Sequence, residues 1–122
     1  MKSLLRFLLA FGIAWFPGLL TGCHSAHVEV AVENRTGAAI RLLEVDYPSA
    51  SFGADSLASA ATLHYRIQVQ GNGPVKVQYA AEGGSQPQML GPSLAERQEG
   101  TLKIVLLPAG KAEFYPRLTG SR

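Results

Sequence analysis

Thr62-Leu63-His64-Tyr65-Arg66-Ile67-Gln68-Val69-Gln70 alternates apolar and polar side chains without a break. Leu63, Tyr65, Ile67 and Val69 share one phase, while His64, Arg66 and Gln68 share the other. Successive side chains of an extended chain point to opposite sides, so this period of two predicts a half-buried β-strand. Gly71-Asn72-Gly73 follows as a turn, and Pro74 opens a second alternating run in which Val75, Val77 and Tyr79 interleave with Lys76 and Gln78. Two such runs joined by a short glycine turn read as a hairpin.

Working outward, the same period recurs on both sides. Val28, Val30 and Val32 alternate with Glu29, Ala31 and Glu33, and Asn34-Arg35-Thr36-Gly37 supplies a turn whose Asn and Gly tolerate left-handed backbone angles. From Ala38 to Tyr47, Ile40 and Leu42 hold one phase, whereas Leu43, Val45 and Tyr47 hold the other. This shift predicts a β-bulge at Leu42-Leu43, or a strand buried on both faces there; the bulge is the preferred reading. Pro48 to Ala61 reads as a Ser/Ala/Gly-rich connection carrying Phe52 and Leu57, in which Asp55-Ser56-Leu57 could cap one helical turn. Beyond the hairpin, Gln86 to Leu90 is expected as a short edge strand because of Pro87. Leu102, Ile104 and Leu106 mark a further strand, Pro108-Ala109-Gly110-Lys111 turns the chain, and Ala112 to Tyr115 closes the fold before a loose tail from Pro116.

The expected fold class is therefore all-β: a single antiparallel β-sandwich of about six or seven short strands over residues 27–115. Val30, Val45, Tyr65, Ile67, Val77, Leu102 and Ile104 are its expected core. An Asn34-x-Thr36-Gly37 turn after a valine-rich strand, then a long connection ending in Leu57 before an alternating strand, resembles small immunoglobulin-like or transthyretin-like sandwich domains of bacterial exported proteins. That resemblance implies a fold and carries no functional residues across.

The N-terminus has a different character. Lys2 and Arg6 precede the ten-residue apolar run Phe7 to Phe16, too short for the roughly 20 apolar residues that span a bilayer, and Pro17-Gly18 breaks any helical extension. This is the pattern of a cleavable hydrophobic signal helix. Leu20-Thr21-Gly22-Cys23 then resembles the lipobox of bacterial lipoproteins at all four positions. The resemblance implies a signal peptide over 1–22, lipidation of Cys23 and a tether over 23–26, while the chain pattern leaves 116–122 as the loose tail. It also implies membrane attachment through the lipid on Cys23 and a place in the cell envelope outside the cytoplasm. His24, rather than an aspartate, follows the cysteine, which favours the outer membrane where a source has two.

Charge and cysteine content narrow the functions further. The 122-residue chain carries a net charge of +2, but with Lys2 and Arg6 in the leader nine basic and nine acidic side chains remain. Such a balance has no long-range field to draw in a nucleic acid. The single cysteine excludes an internal disulfide.

Catalytic patterns are scarce. His24, His27 and His64 lack metal-site spacing, and Arg66 would repel a cation near His64, so no metal or other cofactor is expected. Gly91-Pro92-Ser93-Leu94-Ala95 approaches a nucleophile elbow but lacks the last glycine and any downstream histidine. Glu44/Asp46 and Glu96/Glu99 read as solvated charges rather than a glycosidase pair. Asn34-Arg35-Thr36 matches a glycosylation sequon, for which the turn role already accounts. Tyr47, Tyr65 and Tyr79 fall on apolar phases and read as core.

The expectation is a non-catalytic binding or accessory module, with a passive structural lipoprotein as the alternative. If there is an envelope protein or polymer partner, the connection from Pro48 to Ala61 and the polar segment from Ser93 to Glu99 supply the contact: Phe52 as aromatic anchor, or else a lid over one end of the core, with Glu96, Arg97 and Glu99 as a polar rim.

Overall fold

The computed structural model describes residues 25–120. Among these, eight strands appear: β1 (Val28–Asn34), β2 (Ile40–Tyr47), β3 (Ala50–Leu57), β4 (Thr62–Ile67), β5 (Gly73–Ala80), β6 (Gln88–Leu94), β7 (Glu99–Leu107) and β8 (Lys111–Thr119). They form two four-stranded sheets. Sheet A has the order β4-β1-β7-β8 and sheet B the order β3-β2-β5-β6. Alternation places Val28, Val30, Val32, Ile67, Leu102, Ile104 and Leu106 of sheet A and Ile40, Val45, Val75, Val77 and Leu94 of sheet B in one buried cluster, so the two sheets share a single core.

Four expectations need correction. First, the sheets are not wholly antiparallel: β1 runs parallel to β7, with Val30 opposite Leu102 and Val32 opposite Ile104. A period of two reports which side chains share a face and is silent on strand direction. Second, β4 and β5 are not a hairpin. They belong to different sheets, joined by residues 68–72 crossing the end of the core with Val69 buried beneath them. Third, the last strand does not stop at Tyr115; β8 pairs with β7 as far as Thr119 opposite Glu99, so Pro116 lies within a strand at the sheet edge, where its missing N–H costs no ladder bond. The ordered domain therefore extends past residue 115, and 116–119 are no loose tail.

The fourth correction concerns Pro48 to Ala61. Only Pro48 and Ser49 form the turn, and β3 then pairs along β2, with Phe52 opposite Val45 and Leu57 opposite Ile40. Phe52 and Leu57 are five apart and cannot share one face of a regular strand. The bulge expected at Leu42 is present, with a register shift between Arg41 and Glu44 and Leu42 at φ 53°. Because of it Ile40 and Leu43, three apart, both point inward, and the partner strand makes the matching change between Ala54 and Leu57. Gly53 sits at this irregularity, where a Cβ would lie 1.9 Å from the Leu43 carbonyl oxygen.

The turns fall at two ends. The chain enters β1 at one end, together with turns 48–49, 68–72 and 95–98; turns 35–39, 58–61, 81–87 and 108–110 gather at the other. At the entry end the turns are tied together: the Arg97 amide donates to the Val69 carbonyl and the Glu96 amide to Asn72 Oδ1. The far end is tied by Asn34, which is fully buried. Its Nδ2 lies 2.9, 3.0 and 3.1 Å from the carbonyls of Ala38, Leu57 and Ala58, while its Oδ1 accepts from the Thr36 amide. The sequon asparagine thus has its nitrogen engaged inside the fold.

Candidate functional site

The residues expected to form a partner contact do not come together. Phe52 is in the core, 7% exposed, and its ring stacks on Tyr65 at the open side between edge strands β3 and β4. Glu96 and Arg97 project from the tight turn 95–98, which is closed by the Gln98 amide donating to the Ala95 carbonyl and the Ala95 amide donating to Gln98 Oε1; Glu99 already begins β7. Cys23 and His24 lie outside the described residues, as do the signal segment and the first two tether residues. His64 is exposed on the outer face of β4 opposite Ala31, far along the sheet from His27 at the start of β1.

Tyr65 was expected in the core and is instead 47% exposed. Its phase is inward, as read, but β4 is an edge strand with no neighbour beyond it, so the ring covers Phe52 with one face and meets solvent with the other. Tyr79 is buried, and burial raises its phenol pKa.

A different cluster emerges on the outer face of sheet A. The register aligns three rows across β1, β7 and β8: Glu33, Val105 and Glu113; Ala31, Lys103 and Tyr115; Glu29, Thr101 and Arg117. With Arg35 and Leu107 at one margin, the β7 and β8 side chains of these rows and Glu33 line a partly open hollow. Glu33 is its electrostatic hinge. One carboxylate oxygen lies 2.7 Å from Arg35 Nε and the other 3.6 Å from Lys103 Nζ; the Arg35 hydrogen bond is the largest influence on the Glu33 carboxyl, and with the charges of Arg35 and Lys103 it outweighs the opposing effect of burial and holds the pKa below its ordinary value. The same bond raises Arg35 further.

Tyr115 stands in the middle row, half exposed. Its hydroxyl donates to Glu113 Oε1, and this bond raises the phenol pKa. This bond favours one orientation of the ring. Arg117 has no ion-pair partner among the described residues. Beside the hollow, Arg66 Nε lies 2.6 Å from Glu29 Oε2 and cancels that charge locally.

Tyr115 and Arg117 escaped the sequence reading because the last strand was ended between them. Glu113-x-Tyr115-x-Arg117 alternates as plainly as the earlier strands, and that period was the available signal.

Other parts of the surface are less equipped. At the far end a cleft of about 660 Å³ is lined by Ala38, Ala39, Ala81, Pro87, Pro108 and Ala109, with Glu82 as its one charged wall residue. On the outer face of sheet B, Gln88 Nε2 donates to Gln78 Oε1 and Gln78 Nε2 to Glu44 Oε1, a ladder that satisfies its own polar groups. Among the described residues no three His, Cys, Asp or Glu side chains converge as a metal-ligand group.

No protein-family model matches this chain, and no curated protein matches it. Among solved structures it is similar to the NMR structure of a protein from Eubacterium rectale, with a TM-score of 0.58 at 9% identity, covering 77% of this chain and 93% of that one. At that identity the likeness concerns the fold alone.

Proposed function

We propose that this protein is a lipid-anchored, non-catalytic binding module of the bacterial cell envelope, attached through Cys23. The observation that carries the reading is the lipobox Leu20-Thr21-Gly22-Cys23 placed five residues before the first strand. A five-residue extended chain spans at most about 17 Å. An acylated Cys23 therefore keeps the entry end of the domain against the membrane, leaving the far end and the outer sheet faces for a partner. Two or three acyl chains, at ~0.8 kcal/mol per buried methylene, provide the lasting attachment that one chain does not.

The finer fold assignment belongs to this reading. Of the two resemblances, the transthyretin-like one is favoured, because constant-type immunoglobulin domains divide seven strands four and three, whereas here eight divide evenly. Such sandwiches work as rigid scaffolds for binding surfaces.

Mass analysis of the native protein extracted from membranes tests the anchor. The expected N-terminal peptide begins at Cys23 and carries acyl chains, and Cys23→Ser should release the protein from the membrane or leave it unprocessed. An unmodified Cys23 still joined to Gly22 in the membrane-bound protein overturns the reading.

A further inference from the structure

We infer that the outer face of sheet A is a binding site for an acidic saccharide chain, with Tyr115 as the stacking platform and Lys103, Arg117 and Arg35 as the cationic partners of its carboxylates. The inference rests on the reading of the chain as a binding module and is independent of lipidation at Cys23.

Three features of the face point to this ligand. The first is surplus charge in a built arrangement. Arg35 and Lys103 share the single carboxylate of Glu33, which holds both in place and neutralises only one of them. Arg117, two residues along β8 from Tyr115 on the same face, has no ion-pair partner among the described residues, and Glu113, which keeps its charge while accepting from the Tyr115 hydroxyl, offsets one cation of the face. Lys111, the next outward residue of β8 beyond Glu113, has no ion-pair partner among the described residues, so Arg35, Lys103, Arg117 and Lys111 still outnumber Glu33 and Glu113. Sheet B presents the opposite balance, with Glu44, Asp46 and Asp55 against Arg41 and Lys76. The near-neutral total thus conceals one cationic face, and charge complementarity selects an anion.

The second feature is the ring. Tyr115 is flanked across the strands by Lys103 and along its own strand by Glu113 and Arg117. A sugar ring offers a face of C–H groups that packs against an aromatic plane, while its hydroxyls and carboxylate reach neighbouring polar groups. The Tyr115–Glu113 bond, by favouring one ring orientation, lowers the ordering cost of that contact. A flexible polyanion without rings would use the cations and leave the tyrosine idle.

The third is shape. The hollow is partly open and spreads over three strands from Arg117 to Arg35. An open trough admits an internal stretch of a polymer, whereas a small molecule needs enclosure to bury most of its surface.

Titration of the mature protein in detergent tests this, followed by calorimetry and by amide shifts in NMR spectra. The probes are an oligogalacturonate, its methyl ester, which keeps the rings and removes the charge, and an oligoglutamate of equal charge, which keeps the charge and removes the rings. The oligogalacturonate should bind at least tenfold more tightly than either control, with shifts confined to β1, β7 and β8. Tyr115→Ala and Arg117→Gln should each weaken it at least tenfold. Tyr115→Phe, which keeps the ring and loses only the hydroxyl bond to Glu113, should weaken binding less than Tyr115→Ala, and Lys76→Gln on sheet B should change nothing. Should Tyr115→Ala fail to fold, Arg117→Gln decides alone, since its exposed side chain supports no other group. Absence of oligogalacturonate binding, equal binding of oligoglutamate, or equal loss in Lys76→Gln each overturns the inference. None of these results bears on whether Cys23 carries lipid, so the two readings fail separately.

Discussion

Phe52 and Tyr65 lie on different sheets, yet their rings stack with centroids 4.5 Å apart and planes 9° from parallel. They belong to β3 and β4, the edge strands on one side of the two sheets, and the stack closes the gap that two unpaired edges would otherwise leave open. The opposite side is closed by Gly91 of β6 against the ring of Phe114 of β8.

Phe52→Ala should destabilise the domain by about 3–5 kcal/mol, the range for removing a buried aromatic side chain. Tyr65→Ala should cost less, because half of its ring already meets solvent. In a double-mutant cycle read by urea unfolding, the coupling should be about 0.5–1.5 kcal/mol. Additive losses would mean that the two rings do not support one another.

Gly91→Ala places a Cβ 2.5 Å from Phe114 Cε2, and such overpacking should cost about 1–3 kcal/mol. Phe114→Leu in the same chain should recover part of that loss, since the obstructing atoms belong to a side chain. Gly53→Ala meets the Leu43 carbonyl oxygen instead, so no side-chain substitution should rescue it. Thermal melts of the single and double variants compare the two cases.

Asn34→Asp replaces an amide nitrogen facing three carbonyls with a second carboxylate oxygen. The substitution is nearly isosteric but turns donor into acceptor, and should destabilise more than Asn34→Ala, for which an unsatisfied buried group costs roughly 1–3 kcal/mol. Denaturant midpoints for the two variants should fall in that order, and hydrogen exchange should rise first at Ala60 and Ala61, whose amides lie on the same connection.

The Glu33 carboxyl is held below its ordinary pKa in the folded state by Arg35, with Lys103 assisting. A depressed folded value means that its contribution is complete above the ordinary carboxylate pKa and is lost as pH falls through the lower, folded one. Glu33→Gln should therefore melt below the parent at neutral pH, with the difference closing in acid. A difference that persists unchanged in acid would place the effect in packing rather than charge.

Much of this protein was determined by local pattern. Period-two alternation located five of the strands and turn residues two more, and the alternation named Val30, Val45, Ile67, Val77, Leu102 and Ile104 as core, because a strand side chain has only two faces to choose between. The phase slip at Leu42-Leu43 announced the bulge for the same reason. What the pattern could not carry was anything requiring two distant segments at once. The pairing of β1 with β7 in parallel joins residues some seventy positions apart, and the placement of β4 and β5 in separate sheets depends on which edges are free when the core closes. β3 was hidden because its inward residues follow the irregularity of β2 rather than a period of their own, so the strand becomes visible only against its partner. The cationic face around Tyr115 has the same origin. Glu33, Lys103 and Tyr115 lie on three strands, and only the register of the finished sheet brings one carboxylate between two cations beside an aromatic ring.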